Sequence, residues 1–342
     1  MPKITVIVTT YNIEMLIAEC FDELLTQTFQ DFNILVIDDA STDNTPGIIS
    51  EYRDRHPGRF QTIFIDKNMG SPSLTRNAAL DSGMVDGEYL IFLDGDDRIE
   101  QDFLETLYNM VLEYQAEIAV CAYERVVIET GYILCVEMQG FPKVIDVPPY
   151  GDIPAFINSA LWNKLIKVSL IGEHRLPPFR VGEDLCFFCS ILQGSVRIAF
   201  TDKILVHYQV RKISNISTVT PVIVYALADE LHRIYSNCDI QDLKDTLELI
   251  VFIHIGLSMP IRIKNNPDVS TRKHLIWTRE YLYRNFNMFR GSRFLRLASL
   301  KQRGARGYMI RMALLLYKWR TPGLFLLAYT LYTKALKKDV KF

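Results

Sequence analysis

Four short apolar runs, at residues 4–8, 34–37, 62–65 and 89–93, alternate with segments of helical periodicity, and this alternation constrains the fold more than any other feature. The runs are rich in β-branched residues, and each ends in polar turn residues. Strands that are apolar on both faces need helices on both sides of a parallel sheet, so the expected architecture is α/β and doubly wound. Ligands of such sheets sit beyond the carboxyl ends of the strands. The residues that follow each run are therefore where function is sought.

They are Thr9-Thr10-Tyr11-Asn12, then Asp38-Asp39-Ala40-Ser41-Thr42-Asp43, then Asn68-Met69-Gly70 with Arg76 and Asn77, and last Asp94-Gly95-Asp96-Asp97. Carboxylates gathered on one sheet edge repel each other, which implies a metal, a cationic ligand or both. Gly95 is expected to let its turn fold so that two carboxylates face one point, as Mg²⁺ or Mn²⁺ bridging to phosphates requires. The plainer alternative is a solvated turn whose Asp96 or Asp97 caps a helix beginning near Gln101. A carboxylate of Asp38-Asp39 can accept from a nucleobase N–H or a ribose hydroxyl, or cap a helix starting near Asn44. Arg76 can pair with a diphosphate or with one of these aspartates.

Beyond residue 115 the segments shorten. A strand at 118–123, a hairpin near Gly131, a Pro-rich connection at 147–154 and a helical stretch at 156–161 are expected, followed by Trp162-Asn163-Lys164-Leu165. Gly182-Glu183-Asp184 opens a further helix, and paired strands are expected at 196–200 and 204–210. Two acids at a helix start complement its dipole; facing a cleft, one of them can deprotonate an acceptor hydroxyl. Trp162 is read as an acceptor-pocket wall or a packing residue. His207 is read as a metal ligand or a structural histidine. Arg211, Lys212 and Ser214 form a polar loop that closes over a diphosphate or is solvated.

Taken in order, the segments 5–12, 36–43, 68–77 and 92–97 resemble glycosyltransferase family 2, and Trp162-Asn163-Lys164-Leu165 and Gly182-Glu183-Asp184 fit as well. The resemblance covers roughly residues 3–217. It implies a GT-A fold, a Rossmann-like mixed, mainly parallel sheet, with a mostly helical C-terminal region following. It further implies an inverting transferase that uses a nucleoside-diphosphate sugar, UDP-linked on this reading, and a divalent metal, Mn²⁺ or Mg²⁺. Carried over by position, Asp39 would bind the base, and Thr9 and Tyr11 would line the nucleoside pocket. Asn68 and Arg76 would lie against the nucleotide and its phosphates. Asp94 would contact ribose or sugar, Asp96 would hold the metal with His207 as a further candidate, and Asp184 would be the catalytic base. Thr9 stands where the family usually has proline, and the loop after Tyr208 matches loosely. The acceptor implied is a glycan or a lipid-linked sugar of a surface polysaccharide. A nucleotidyltransferase is the rival enzyme class, but Thr9-Thr10-Tyr11-Asn12 is not a Gly-rich phosphate loop. A nucleotide-sugar-binding scaffold without turnover is the non-enzymatic rival, and Asp94, Asp96 and Asp184 argue against it.

The 342 residues suggest two domains, with a boundary placed at residue 220. Net charge, only -2 overall, divides sharply. Residues 1–260 hold 19 Lys and Arg against 37 Asp and Glu; residues 261–342 hold 19 against 3. A basic helical region rich in aromatics suits an anionic membrane surface, with helical packing or a homo-oligomer interface as the alternatives. No nucleic-acid motif accompanies the charge. The six cysteines include one C-x-x-C, Cys186 and Cys189, without a second pair at zinc spacing, and fit a reducing compartment. No run of about 18 uninterrupted apolar residues occurs, and the first residues read as a strand instead of a signal peptide. The expected location is the cytoplasm, peripheral at the inner face of the cell membrane.

Overall fold

The computed structural model describes residues 1–147, 151–210, 219–264, 266–289, 291, 293, 295–296, 299–300 and 304–336. Arg211, Lys212, Ser214, Arg290, Lys301 and Arg303 lie outside the described residues. The chain divides into two compact units, one of residues 1–147 and 158–214, the other of 148–157 and 215–342.

The first unit is built on a ten-stranded sheet. Its parallel half is β1 (Ile4–Thr10), β2 (Phe32–Asp38), β3 (Phe60–Phe64) and β4 (Tyr89–Asp94), in the order β3-β2-β1-β4. The apolar residues of β1, β2 and β4 are buried almost without interruption, as a sheet covered on both faces demands. The covering helices are α1 (Ile17–Leu25), α2 (Thr45–Arg55), α3 (Pro72–Asp81) and, after the two-residue strand β5 (Arg98–Ile99), α4 (Phe103–Tyr114). In α1 the buried set is Ile17, Cys20, Phe21 and Leu24, one stripe of a 3.6-residue period.

The mixed half follows. Strands β6 (Ile118–Val127) and β7 (Tyr132–Glu137) form an antiparallel hairpin; β8 (Val144–Val147) and β9 (Lys164–Lys167) come next, with helices α5 (Val168–Ile171) and α6 (Glu183–Ile191) before β10 (Val196–Val210). The sheet continues past β4 as β9-β6-β10-β5.

Two expectations differ from what is found. The paired strands at 196–200 and 204–210 are one strand, β10, which runs parallel to β6 from Ile198 to Val210. The polar residues Thr201, Asp202 and Lys203 resemble a turn but are absorbed by two register shifts, so the strand bends without reversing. The helical stretch at 156–161 is absent. A single 3₁₀ turn spans Ile153–Phe156, and Asn158 Oδ1 then accepts from Ala160 N at 2.9 Å, a local bond that competes with helix.

The second unit is helical: α7 (Pro221–Asn237), α8 (Gln241–Val251), a π-helical turn (Phe252–Ser258), α9 (Met259–Ile263), α10 (Thr271–Asn285), α11 (Gly304–Lys318) and α12 (Pro322–Leu336). The stretch Gln241–Ile263 is long and apolar enough by composition to cross a bilayer, but 83% of its most apolar window is buried inside the molecule. It carries Glu248, which accepts from Tyr235 Oη at 3.0 Å and from Asn287 N at 2.8 Å. The carbonyl of Gly256, in the π turn, accepts from Tyr317 Oη at 2.6 Å, giving a buried polar group its partner.

Candidate functional site

The carboxyl ends of β1, β2 and β4 lie side by side, with Thr10 in register with Asp38 and Thr9 with Asp94. Asp38 joins this edge to its own turn. Its Oδ1 accepts from Thr10 Oγ1 and Ser41 Oγ at 2.9 and 2.6 Å, and its Oδ2 from Ser41 N at 2.9 Å. Asp39 instead reaches the loop after β3: Oδ1 accepts from Met69 N at 2.8 Å and Oδ2 from Asn68 Nδ2 at 3.1 Å. Burial raises the Asp39 pKa, against the lowering effect of its hydrogen bonds from Met69 and Thr75. An open cleft of about 620 Å³ lies here, lined by Tyr11, Asp38, Ser41, Thr42, Phe64 and Asn68 among others. Tyr11 and Phe64 are 49% and 41% exposed. An exposed aromatic beside amide, hydroxyl and carboxylate groups suits a planar polar ring such as a nucleobase.

Arg76 does not line that cleft. It is 3% exposed on α3, where Nη2 donates to Asp94 Oδ1 at 2.7 Å and Nη1 to Asp184 Oδ1 at 2.9 Å. Burial works against its charge, but Asp94 and Asp184 outweigh that and raise its pKa. Thr9 Oγ1 donates to the same Asp94 oxygen at 3.2 Å. One guanidinium thus ties the end of β4 to the first turn of α6.

The approach to α6 is clamped onto α3. Asn77 exchanges two hydrogen bonds with the backbone of Leu176, at 2.8 and 2.9 Å. Ser71 and Ser73 donate to Phe179 O, and Arg180 Nε donates to Gly70 O at 2.6 Å. Gly182 then turns into the helix at φ +85°, a left-handed conformation that favours glycine. Glu183 and Asp184 follow in the first turn. Burial, then the charge of Asp184, lifts Glu183 to about 7, with Arg76 pulling the other way. Burial also raises Asp184, opposed by Arg76 and Lys164. Asp184 Oδ1 is held by Arg76, while its side chain keeps 21% of its surface exposed.

In the acidic turn, Asp94 and Asp96 are half-buried and Asp97 is buried. Gly95 has no left-handed turn conformation; a Cβ there would lie 2.7 Å from Ile13 Cδ1 and 2.8 Å from Ile17 Cδ1, so a side chain would have to displace the tips of both isoleucines. Asp97 Oδ1 accepts from Gln209 N at 3.0 Å, and Oδ2 is buried without a hydrogen-bond partner among the described residues. No group of three or more His, Cys, Asp or Glu side chains forms a metal cage among the described residues. One or two carboxylates are nonetheless what Mg²⁺ takes when substrate phosphates complete its shell, and all the donors here are hard oxygens. The turn fits such an ion.

His207 lies between two glutamates: its Nδ1 is 2.7 Å from Glu124 Oε1 and its Nε2 2.9 Å from Glu100 Oε1. Trp162 is buried between Tyr123, edge-on at 4.6 Å, and Tyr208, stacked at 5.2 Å. Sequence reasoning missed Arg180, an exposed cation four residues before Asp184, and left the burial of Lys164 unread. Neither has a spacing that marks it.

Residues 5–139 match the family profile described as Glycosyl transferase family 2. The chain carries a family 2 glycosyltransferase domain. Glycosyltransferase GlyA of Streptococcus pneumoniae is 32% identical over 238 residues, 67% of this chain and 34% of that protein. The poly(ribitol-phosphate) beta-glucosyltransferase of Bacillus spizizenii is 25% identical over 266 residues, 74% of this chain and 40% of that protein. The chain therefore spans only about a third to two-fifths of the length of these relatives. A crystal structure of S. aureus TarS with UDP-GlcNAc superposes with a TM-score of 0.71 at 18% identity, covering 98% of this chain and 92% of that one. The family 2 domain here thus has the GT-A fold, followed by a helical region.

Proposed function

We propose that this protein is an inverting glycosyltransferase that moves a sugar from a UDP-sugar to a hydroxyl of a glycan or lipid-linked acceptor in surface-polysaccharide synthesis. The observation that carries this is the Asp94–Arg76–Asp184 bridge. It sets the carboxylate of α6 beside the end of β4, next to the cleft that suits a nucleobase. The relatives support the two substrate classes in turn: one is named for poly(ribitol-phosphate), a polymeric acceptor, and a structural neighbour was solved with UDP-GlcNAc, a sugar donor.

On this reading the base stacks on Tyr11, and Asp39 and Asn68 hold the nucleoside side of the cleft. Asp94 meets ribose or sugar, fixed by Thr9 and Arg76. Asp96 would hold a Mn²⁺ or Mg²⁺, which when bound offsets the charge growing on the leaving diphosphate. Asp184 takes the acceptor hydroxyl's proton as its oxygen attacks the anomeric carbon from the face opposite the diphosphate, which leaves with the bonding pair. The attack is in line, so configuration inverts and no covalent intermediate forms. Burial raises the pKa of this carboxyl, which makes it a better base than an ordinary aspartate once ionised. The helical region, net +16 over residues 261–342, is assigned to the anionic inner surface of the cell membrane, where a lipid-linked acceptor would be reached.

The test is nucleotide release by purified protein from a panel of nucleotide sugars, with and without Mn²⁺. Release from at least one UDP-sugar, dependent on metal and accelerated by an acceptor glycan, is expected. No release from any donor with any acceptor would overturn the assignment.

A further inference from the structure

Lys164, in β9, is 0% exposed. Its Nζ donates to Asn158 O at 2.6 Å, Ala160 O at 2.6 Å and Asn163 Oδ1 at 2.8 Å. Three donors meet three oxygens, which only the ammonium form can supply, since a neutral amine has two N–H groups and a lone pair. Burial pulls the lysine down to about 7, and the charge of Asp184 opposes it; the three acceptors favour the charged form further.

The ammonium also lies 5.5 Å from the centroid of the Phe188 ring. Phe188 is four residues after Asp184 in α6, so the two share one face of the helix, a turn apart. The groups that act on Asp184 are Arg76 of α3, Asp94 of β4 and Lys164 of β9. Glu183 of its own helix is coupled to it. Facing Lys164 are Cys121 of β6, a thiol that burial pushes up to about 12 and so keeps neutral, and Asp184. Arg76 is shared between two carboxylates. Lys164 is hydrogen-bonded to no carboxylate among the described residues, and its charge adds to that of Arg76, the larger of the two, in lowering the Asp184 pKa.

We propose that Lys164 is a positioning residue for the base: it pins segment 158–164 against Phe188 of α6 and supplies a second positive charge that favours the ionised form of Asp184. This rests on Asp184 being the base. The test is the pH dependence of kcat/KM for Lys164→Gln, Lys164→Met and Lys164→Arg in the full chain, with UDP binding as the check on folding. Gln keeps hydrogen-bond donors and loses the charge, so it carries the test where Met does not fold. The acid limb of both neutral variants should move up by about one to two pH units, the size expected for losing a nearby opposite charge. Donor KM should stay within about twofold, and Arg should restore part of the limb. An unmoved limb, with activity falling only as folded protein falls, would overturn the proposal. Full activity of Asp184→Asn would instead overturn the base assignment and leave the limb without its owner, a distinguishable failure.

Discussion

Asp184 and Glu183 carry the sharpest expectation at the scale of single residues, because only one of these two adjacent acids, the half-buried Asp184, is bridged by Arg76. Asp184→Asn keeps the shape and removes the proton acceptor, so kcat should fall on the order of 10²–10⁴-fold while UDP-sugar binding survives. Dead Glu183→Gln with active Asp184→Asn would exchange the roles. A base works ionised, so wild-type kcat/KM should decline as pH falls through the raised range of this pair, above that of an ordinary carboxylate. The linkage to stability has the opposite sense. Glu183 holds its proton in the folded state up to about 7 and in the unfolded chain only to 4.5, so folding loses stability as pH rises between them. Glu183→Gln should therefore gain on wild type in melting temperature from pH 4.5 to 7; a flat difference would contradict the burial argument. Asp96→Ala should abolish metal-dependent turnover without lowering the melting temperature, and full activity of wild type in excess chelator would remove the metal from the scheme. Asp94, Asp96 and Asp184 could be picked from sequence because they follow strand ends or open a helix. The partners of Arg76 and the two glutamates on His207 could not, since each depends on contacts between residues 18 to 108 positions apart.

Between residue and fold stand the elements that deliver these side chains, and α6 is the decisive one. Its first turn is aimed by Gly182 at φ +85° and by the clamp of Asn77, Ser71 and Ser73 on residues 176–179. A side chain at Gly182 puts a Cβ into a left-handed conformation, a cost of about 1–2 kcal/mol. Gly182→Ala should lower the urea midpoint accordingly, and kcat should drop more than the loss of folded protein explains, because α6 must re-aim its first turn. An unchanged kcat would mean that the start of α6 does not set the base. The strands β1 to β4 were legible because β-branched apolar runs with polar ends have few other folds open to them. β10 was misread because Thr201-Asp202-Lys203 has the composition of a turn. Whether such a triplet reverses the chain or bulges within it is decided by the neighbouring strand, here β6, and not by local sequence.

For the whole molecule, the division of charge was legible at once, but its purpose depends on which apolar groups the helices leave outside. In α12, Phe325, Leu326 and Tyr329 are buried, whereas Leu324, Leu327 and Leu331 are 53%, 57% and 60% exposed at positions i, i+3 and i+7 of one helix face. Trp319, 66% exposed, precedes them between Lys318 and Arg320, which are also exposed. An apolar stripe edged by lysine and arginine, in a segment of net charge +16, matches a helix lying in an anionic lipid interface. Attraction of about 1 kcal/mol per well-placed basic residue means a handful suffices even after screening by salt. Truncating α12 would expose its buried face, so the test uses the full chain with Leu324→Ser, Leu327→Ser and Leu331→Ser combined, which leaves Phe325, Leu326 and Tyr329 in place. Wild type should sediment with vesicles containing anionic phospholipid, less at high salt, and not with neutral vesicles; the triple variant should stay in the supernatant and still release nucleotide from its sugar donor when given a soluble acceptor. Equal sedimentation with neutral vesicles would point to plain apolar insertion. A wild type that never sediments but forms a salt-resistant dimer, broken by the same three substitutions, would make this face a contact between copies of the chain and end the membrane assignment.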